Sequence, residues 1–446
     1  MLPQAIAVAQ LVEQYQFIDK DAGRLLYEMT FYLQERARYV EAEPFYQRAL
    51  RIHEQHLGSE HLDVAVSLGG LANLYRDQGR FAEAEQLYLR ARQIFERSLG
   101  SEYPQANLAL NDLGLSYAQV LNNLGAIIKD KGRFAEAEPL YQRARQIFER
   151  HLGSHHHLVA FPVNNLAILY KDQHRYDKAE PLYQLALMIN EEQLGSEHSQ
   201  TALACNNLAE LYRELERYIE AEPLYQRARR IWERCYGLER YLVAIVLNNL
   251  ADNSYGQEEY AEAEPLYQRA LDILEQRLGR EHYMVAYSLR GLANLSYQQE
   301  KYAEAEMNYQ RALTIREQAW GSQHYETAES LHDLARLREV QDNNEEAIAL
   351  YFRALEIREQ RLGAHDLKTT ETRACLIPLL HALGQHKEAT QLEETQSEPW
   401  PEGEAEIVAR NESPCRDDQV ARRNKYGARN AAGTGRDRSL GEFHHD

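Results

Sequence analysis

The chain is 446 residues long and carries a formal net charge of -19, with 69 acidic side chains against 50 Lys and Arg. That balance argues against nucleic acid as a partner, because phosphate binding draws on a basic excess, and no apolar run approaches membrane-spanning length, so no membrane association is expected. The four cysteines, Cys205, Cys235, Cys375 and Cys415, show no CxxC pairing or framework spacing. They suit a reducing compartment and predict neither disulfides nor structural zinc. With no basic start followed by an apolar stretch, the expected location is cytoplasmic.

From residue 21 to 396 one unit recurs, and residues 1–20 are expected to cap its N-terminal end. Gly58, Gly100, Gly153, Gly195, Gly237, Gly279, Gly321 and Gly363 fall 42 residues apart, with one step of 53. Ala42, Ala84, Ala137, Ala179, Ala221, Ala263, Ala305, Ala347 and Ala389 keep the same spacing, so nine units are counted. A unit of this length cannot bury its own apolar face, and a repeat of it means a stacked array. In the second unit Val64 to Tyr75 and Phe81 to Leu99 carry apolar residues at spacings of three and four, broken at Gln78-Gly79-Arg80. Each unit therefore reads as helix A, a tight turn and a longer helix B, which Gly100 ends as a left-handed residue. Pro44, Pro139, Pro181, Pro223 and Pro265 share one phase early in helix B, where each removes a backbone donor and is expected to bend the helix without ending it.

Leu68, Leu71, Ala72, Tyr75, Gly79, Phe81, Ala84, Tyr88 and Ala91 fall where tetratricopeptide repeats place their large and small packing residues. The extended helix B and the phrases LNNLG, NNLA, AEAEPLYQRAR and LGSEH resemble the tetratricopeptide domain of kinesin light chains and their bacterial relatives, over roughly residues 25–390. The long coiled-coil heptads of the motor subunit are absent, so a bacterial or free-standing adaptor fits better. The resemblance implies an all-α, right-handed superhelical solenoid of stacked antiparallel helix pairs.

Three places depart from the regular unit. The 53-residue step hides an insertion of 11 near residues 107–117, where Leu110 to Gly114 is echoed by Leu121 to Gly125. Eleven residues are close to three helical turns, so the insertion can lengthen helix A while both leucine pairs keep one face. The ninth unit is degenerate, with Pro378 inside helix A and Glu393 where others carry Tyr, which suits a cap. Residues 397–446 are poor in aliphatic side chains and are expected to be disordered.

On a helical wheel of the fourth unit, Ala160, Val163, Leu166, Ala167 and Tyr170 form the buried side, and Phe161, Asn165, Ile168 and Asp172 fall opposite, flanked by Asn164 and Lys171. In tetratricopeptide arrays that second face lines the concave groove. Four successive units carry an Asn pair: Asn122-Asn123, Asn164-Asn165, Asn206-Asn207 and Asn248-Asn249. A carboxamide both donates and accepts, and a column of them can hold the backbone of an extended peptide. The resemblance implies the same role. The alternative is that the second Asn bonds to the adjacent helix or turn. Phe161, Leu203, Ile245 and Tyr287 make an apolar stripe suited to anchoring a bulky side chain. Arg76, Lys129, Lys171 and Arg213 make a basic stripe, with Asp77, Asp130, Asp172 and Glu214 directly beside it.

His61, His198, His282 and His324 share one phase but lie in different units, too far apart for bonds of about 2 Å to one metal. No HExxH helix, GxSxG, Walker loop or dinucleotide fingerprint is present. We therefore expect neither a metal site, nor a cofactor, nor catalysis. The expected function is a protein-protein interaction scaffold with protein or peptide partners. A regulatory module acting on a separate effector and a non-catalytic accessory subunit are the alternatives.

Overall fold

The computed structural model describes residues 23–27, 29–30, 39–78, 80–99, 111–238 and 241–397. The expected N-terminal cap at 1–20 and the expected disorder of the tail fall outside them, apart from Ser397. Every ordered element among the described residues is helical. The first unit contributes a helical stretch at 23–27 and its B helix, α1 (Tyr39–Leu57); the later units follow as α2 (Leu62–Asp77) and α3 (Phe81–Leu99), α4 (Asn111–Asp130) and α5 (Phe134–Leu152), and α6 (Ala160–Asp172) and α7 (Tyr176–Leu194). They continue with α8 (Ser199–Glu214) and α9 (Tyr218–Tyr236), α10 (Tyr241–Gly256) and α11 (Tyr260–Leu278), α12 (Val285–Gln298) and α13 (Tyr302–Trp320), α14 (Tyr325–Val340) and α15 (Asn344–Leu362), and α16 (Leu367–Ala382) and α17 (His386–Ser397). Each A helix packs on its own B helix, then on the preceding B helix, and touches the A helices of its neighbours. That is an all-α solenoid.

The repeating residues explain the stacking. The alanines that mark the nine units, Ala42 through Ala389, are buried without exception, and so is a column of tyrosines from Tyr46 to Tyr351 on the B helices. A small residue on one helix lets the neighbour's backbone approach while the ring fills the space beside it. Gly291 shows how tight this is: a Cβ there would lie 2.2 Å from the Tyr267 ring. The prolines lie inside helices of 19 residues, no shorter than the proline-free α3, α13 and α15. In the third unit α4 starts at Asn111, four residues earlier than the 53-residue offset from α2 would place it, and Leu113 packs on the core. Helix α4 is thus four residues longer than α2. In the ninth unit α16 accommodates Pro378.

The two ends of each helix use different chemistry from that expected. The terminal glycines of the B helices have φ of 86–96° but ψ of 153–166°. This is not the left-handed helical region but one reached essentially by glycine alone. Left-handed residues stand instead in the A–B turns, where His174, Glu216, Glu258, Glu300 and Asp342 have φ of 56–63°. At the start of the A helices, the in-phase histidines His61, His198 and His324 are N-caps, each Nδ1 accepting the backbone N–H two residues on, and His282, three residues before α12, accepts the same bond. Asp366 fills the same phase with the same bond. An ordinary capping residue at that phase was the signal in the sequence that these imidazoles work as acceptors.

The Glu-Ala-Glu phrases join units as well as favouring a helix N-terminus. Arg80, Arg133 and Arg217 each pair with a glutamate of their own B helix and, at 3.0 Å, with Glu43, Glu85 and Glu180 of the preceding one. The guanidinium groups of Arg80, Arg175 and Arg217 lie over Tyr75, Tyr170 and Tyr212. Toward the C-terminus a buried charge cluster replaces apolar contacts. The B-helix phase filled by Phe95, Phe148 and Trp232 becomes Arg316 and Arg358, both buried. Arg358 pairs with Glu329 at 2.6 Å, and Arg290 pairs with Glu329 and Asp333. His332 sits among them, its pKa pushed down to about 4 by burial and then by Arg358, against the opposing pull of Asp333 and Glu329.

Two outcomes follow from these conformations. Gly195→Ala should lower stability by about 2 kcal/mol through backbone strain, since an added Cβ there meets nothing within 4 Å, whereas Glu216→Gly should raise it by about 1 kcal/mol; denaturant melts of the two variants test both signs. For His332 the folded pKa lies below its ordinary value of about 6.5. Below that pH the unfolded chain binds more protons, so stability present above it is lost as pH falls towards 4, by on the order of 3 kcal/mol. Thermal unfolding across that window should show a shallower slope for His332→Gln than for the wild type.

Candidate functional site

Steps of three and four residues bring one stripe of each A helix away from the core. In the fourth unit Phe161, Asn164, Ile168 and Asp172 keep part of their surface to water. The family resemblance places this stripe in the concave trough of the array. The Tyr325 phenol in α14 is pushed up by burial first, then by Glu326 and Tyr287, and also by Asp172 of α6, four units away.

The Asn pairs form a ladder between successive A helices. Asn165 Nδ2 donates to Asn122 Oδ1, Asn207 to Asn164 and Asn249 to Asn206, each at 2.9 Å. Asn123 starts the column by donating to Asn73 at 2.8 Å, and the Ser288 hydroxyl ends it by donating to Asn248 Oδ1 at 2.9 Å. The second Asn of each pair thus donates to the preceding A helix, while Asn165 stays half-buried like Asn164. The first Asn gives up its oxygen and keeps its N–H donors. Asn122 turns one of them on Asn123. Asn164, Asn206 and Asn248 spend theirs on no other described residue.

The apolar stripe is open to contact: Phe161, Leu203 and Tyr287 are exposed and Ile245 is half-buried. Tyr287 is also oriented by the next unit, its hydroxyl donating to Glu326 Oε1 at 3.0 Å beside Arg316. The basic stripe is engaged. Lys129 Nζ lies 3.1 Å from both Asp130 and Asp172, and Lys171 Nζ lies 3.4 and 3.3 Å from Glu210 and Glu214. Burial opposes the charge of each lysine, but these carboxylates outweigh it and leave both pKa values above the ordinary range. Arg213 likewise loses by burial and gains more from Asp252, Tyr225, Glu210 and Glu214. Its Nε is buried without a hydrogen-bond partner among the described residues.

The trough therefore offers a lane of apolar side chains, a lane of amide donors and a lane of paired charges. Sequence reasoning missed Glu210 and Asp252, which share the phase of Ile168 on the floor, because that phase changes character from unit to unit. Among the described residues no group of three or more His, Cys, Asp or Glu is placed to hold a metal ion, and no helix is long and apolar enough to cross a membrane. Cys205, Cys235 and Cys375 are unbridged.

The tetratricopeptide repeat family model matches overlapping stretches that run from residue 21 to residue 360. No curated protein matches the chain. Among solved structures, the apo form of RapI is similar at 17% identity with a TM-score of 0.50, covering 66% of this chain and 97% of that one. BtubC (BKLC) from P. vanneervenii is similar at 23% identity and a TM-score of 0.38, covering 58% of this chain and 94% of that one. A putative kinesin light chain of nearly identical repeats from Podosopora anserina is similar at 24% identity and a TM-score of 0.39, covering 48% of this chain and 97% of that one. Helix pairs stacked with a 42-residue period, their small and aromatic residues buried in register, agree with the match across the array: the chain belongs to the tetratricopeptide repeat family.

Proposed function

We propose that the chain is a protein-protein interaction scaffold that takes an extended peptide segment along the A-helix trough of its middle units. The observation that carries this reading is the set of amide N–H groups on the half-buried Asn164 and Asn248 and, deeper between them, on the buried Asn206. Each is fixed in direction because its own oxygen accepts a bond from the next A helix or, at the end, from Ser288. Donors held in this way lose little freedom when a ligand carbonyl reaches them. The exposed ring and methyl groups of Phe161, Leu203, Ile245 and Tyr287 lie one helical turn away and supply contact area beside the donors.

Both members of each Asn pair belong to the ladder, but only the first carries donors that the ladder leaves over. Asn164→Ala with Asn206→Ala removes those donors together with the acceptors of two rungs, so it should weaken peptide binding by about tenfold or more, at roughly 1 kcal/mol for each lost bond, and lower the melting temperature as well. Asn165→Ala with Asn207→Ala removes rungs and should lower the melting temperature while leaving most of the affinity. A peptide-array screen followed by titration, with circular dichroism as the folding control, distinguishes them. Equal binding by the first variant and the wild type would rule out the trough as the peptide site.

A further inference from the structure

The depth of the charges inside the trough shows the kind of partner that fits it. The Lys171 side chain is only 10% exposed, against 34% and 30% for Glu210 and Glu214, and Lys129 is 19% exposed against 31% for Asp172. The ammonium groups lie under the carboxylates that neutralise them. Asp252 adds a further carboxylate, accepts the Tyr267 hydroxyl and is in no ion pair among the described residues. Arg213 is half-buried, and Asp252, Glu210 and Glu214 act on its charge without an ion pair among the described residues. What the trough presents to a visitor is therefore negative, although Lys129, Lys171 and Arg213 line up in the sequence as a basic stripe.

A second observation lies beneath the same carboxylates. Three tyrosines of the column send their hydroxyls to the floor residue of the unit's own A helix, Tyr88 to Asn73, Tyr267 to Asp252 and Tyr309 to Asn294, whereas the buried hydroxyl of Tyr225, in the unit of Glu210, has no hydrogen-bond partner among the described residues. In the fourth unit that floor residue is Ile168, which has no polar atom to offer. The Tyr183 hydroxyl is left fully buried without a hydrogen-bond partner among the described residues, within electrostatic reach of Glu210, Asp172 and Glu214. A buried hydroxyl without a partner is costly and marks a place where an added polar group would be favoured.

We propose that the partner is a cationic segment, one whose Lys or Arg side chains meet Asp172, Glu214 and Asp252 while its apolar side chains rest on the Phe161 to Tyr287 stripe. The inference rests on the peptide-binding reading and adds the sign of the ligand. Charge complementarity in a partly enclosed trough favours the correct partner and speeds encounter, and it penalises like charge strongly.

The test uses the full chain and two fluorescent peptides of the same leucine and tryptophan pattern, one bearing lysines and the other glutamates at the remaining positions. The lysine peptide should bind at least tenfold more tightly, with affinity falling as salt rises. Asp252→Asn keeps an acceptor for Tyr267 and breaks no ion pair among the described residues, so it should fold and weaken the lysine peptide by several-fold. Glu214→Gln should act in the same direction. Tighter binding of the glutamate peptide in the same trough would overturn the cationic assignment and leave the scaffold reading standing. Lysine-peptide binding that neither variant alters would place the attraction on the outer acidic surface and also overturn it. Failure of both peptides together with a blank array would sink both readings.

Discussion

A two-helix unit can cover only one of its apolar faces, and every other feature of this solenoid follows from the need to have the second face covered by the next unit. Three sets of contacts meet that need at different depths. Alanine against tyrosine sets how closely the helices approach. Arginine against glutamate ties α3, α5 and α9 to the preceding B helix near the surface. Asparagine against asparagine ties the A helices to one another along the trough. The first set supplies most of the burial, while the polar sets contribute about 1 kcal/mol or less per contact and chiefly fix register.

The amide ladder connects stacking to binding. A carboxamide has an oxygen and two N–H bonds, and one hydrogen bond to the next helix uses the oxygen while fixing the plane of the group. The same bond that holds two units together thus fixes the direction of the donors that remain. Where the Asn pairs end, Gly291 admits the Tyr267 ring and Arg290 reaches across to Asp333. The C-terminal units are joined by buried charge instead. That change makes their stability respond to acid through His332, whereas an amide ladder carries no titrating group.

Much of this was legible in the sequence, because period and phase are one-dimensional properties. The helices, the buried alanines and the proline-tolerant B helices all follow from spacing and residue type. The partition of labour within each Asn pair does not, since neighbouring residues on a helix differ by about 100° in direction and only the packed neighbour decides which of them it meets. The sign of the trough was hidden for a related reason: Lys171 and Glu214 are equal in a sequence, and their depth is set by how the next A helix leans over them. The histidine caps were readable by comparison with Asp366. The conformation of the terminal glycines was not, because both positive-φ regions ask for the same residue.

Stacking and binding meet in one amide bond, the one that couples Asn164 to Asn207 across two helices. A double-mutant cycle on unfolding free energy isolates it, with Asn164→Ala and Asn207→Ala made singly and together. A coupling of about 1 kcal/mol is predicted for this pair, and a value near zero for Asn164 with Asn206, which share a phase but no bond. Additive effects for Asn164 and Asn207 would contradict the ladder, and with it the physical reason for the direction of the free donors.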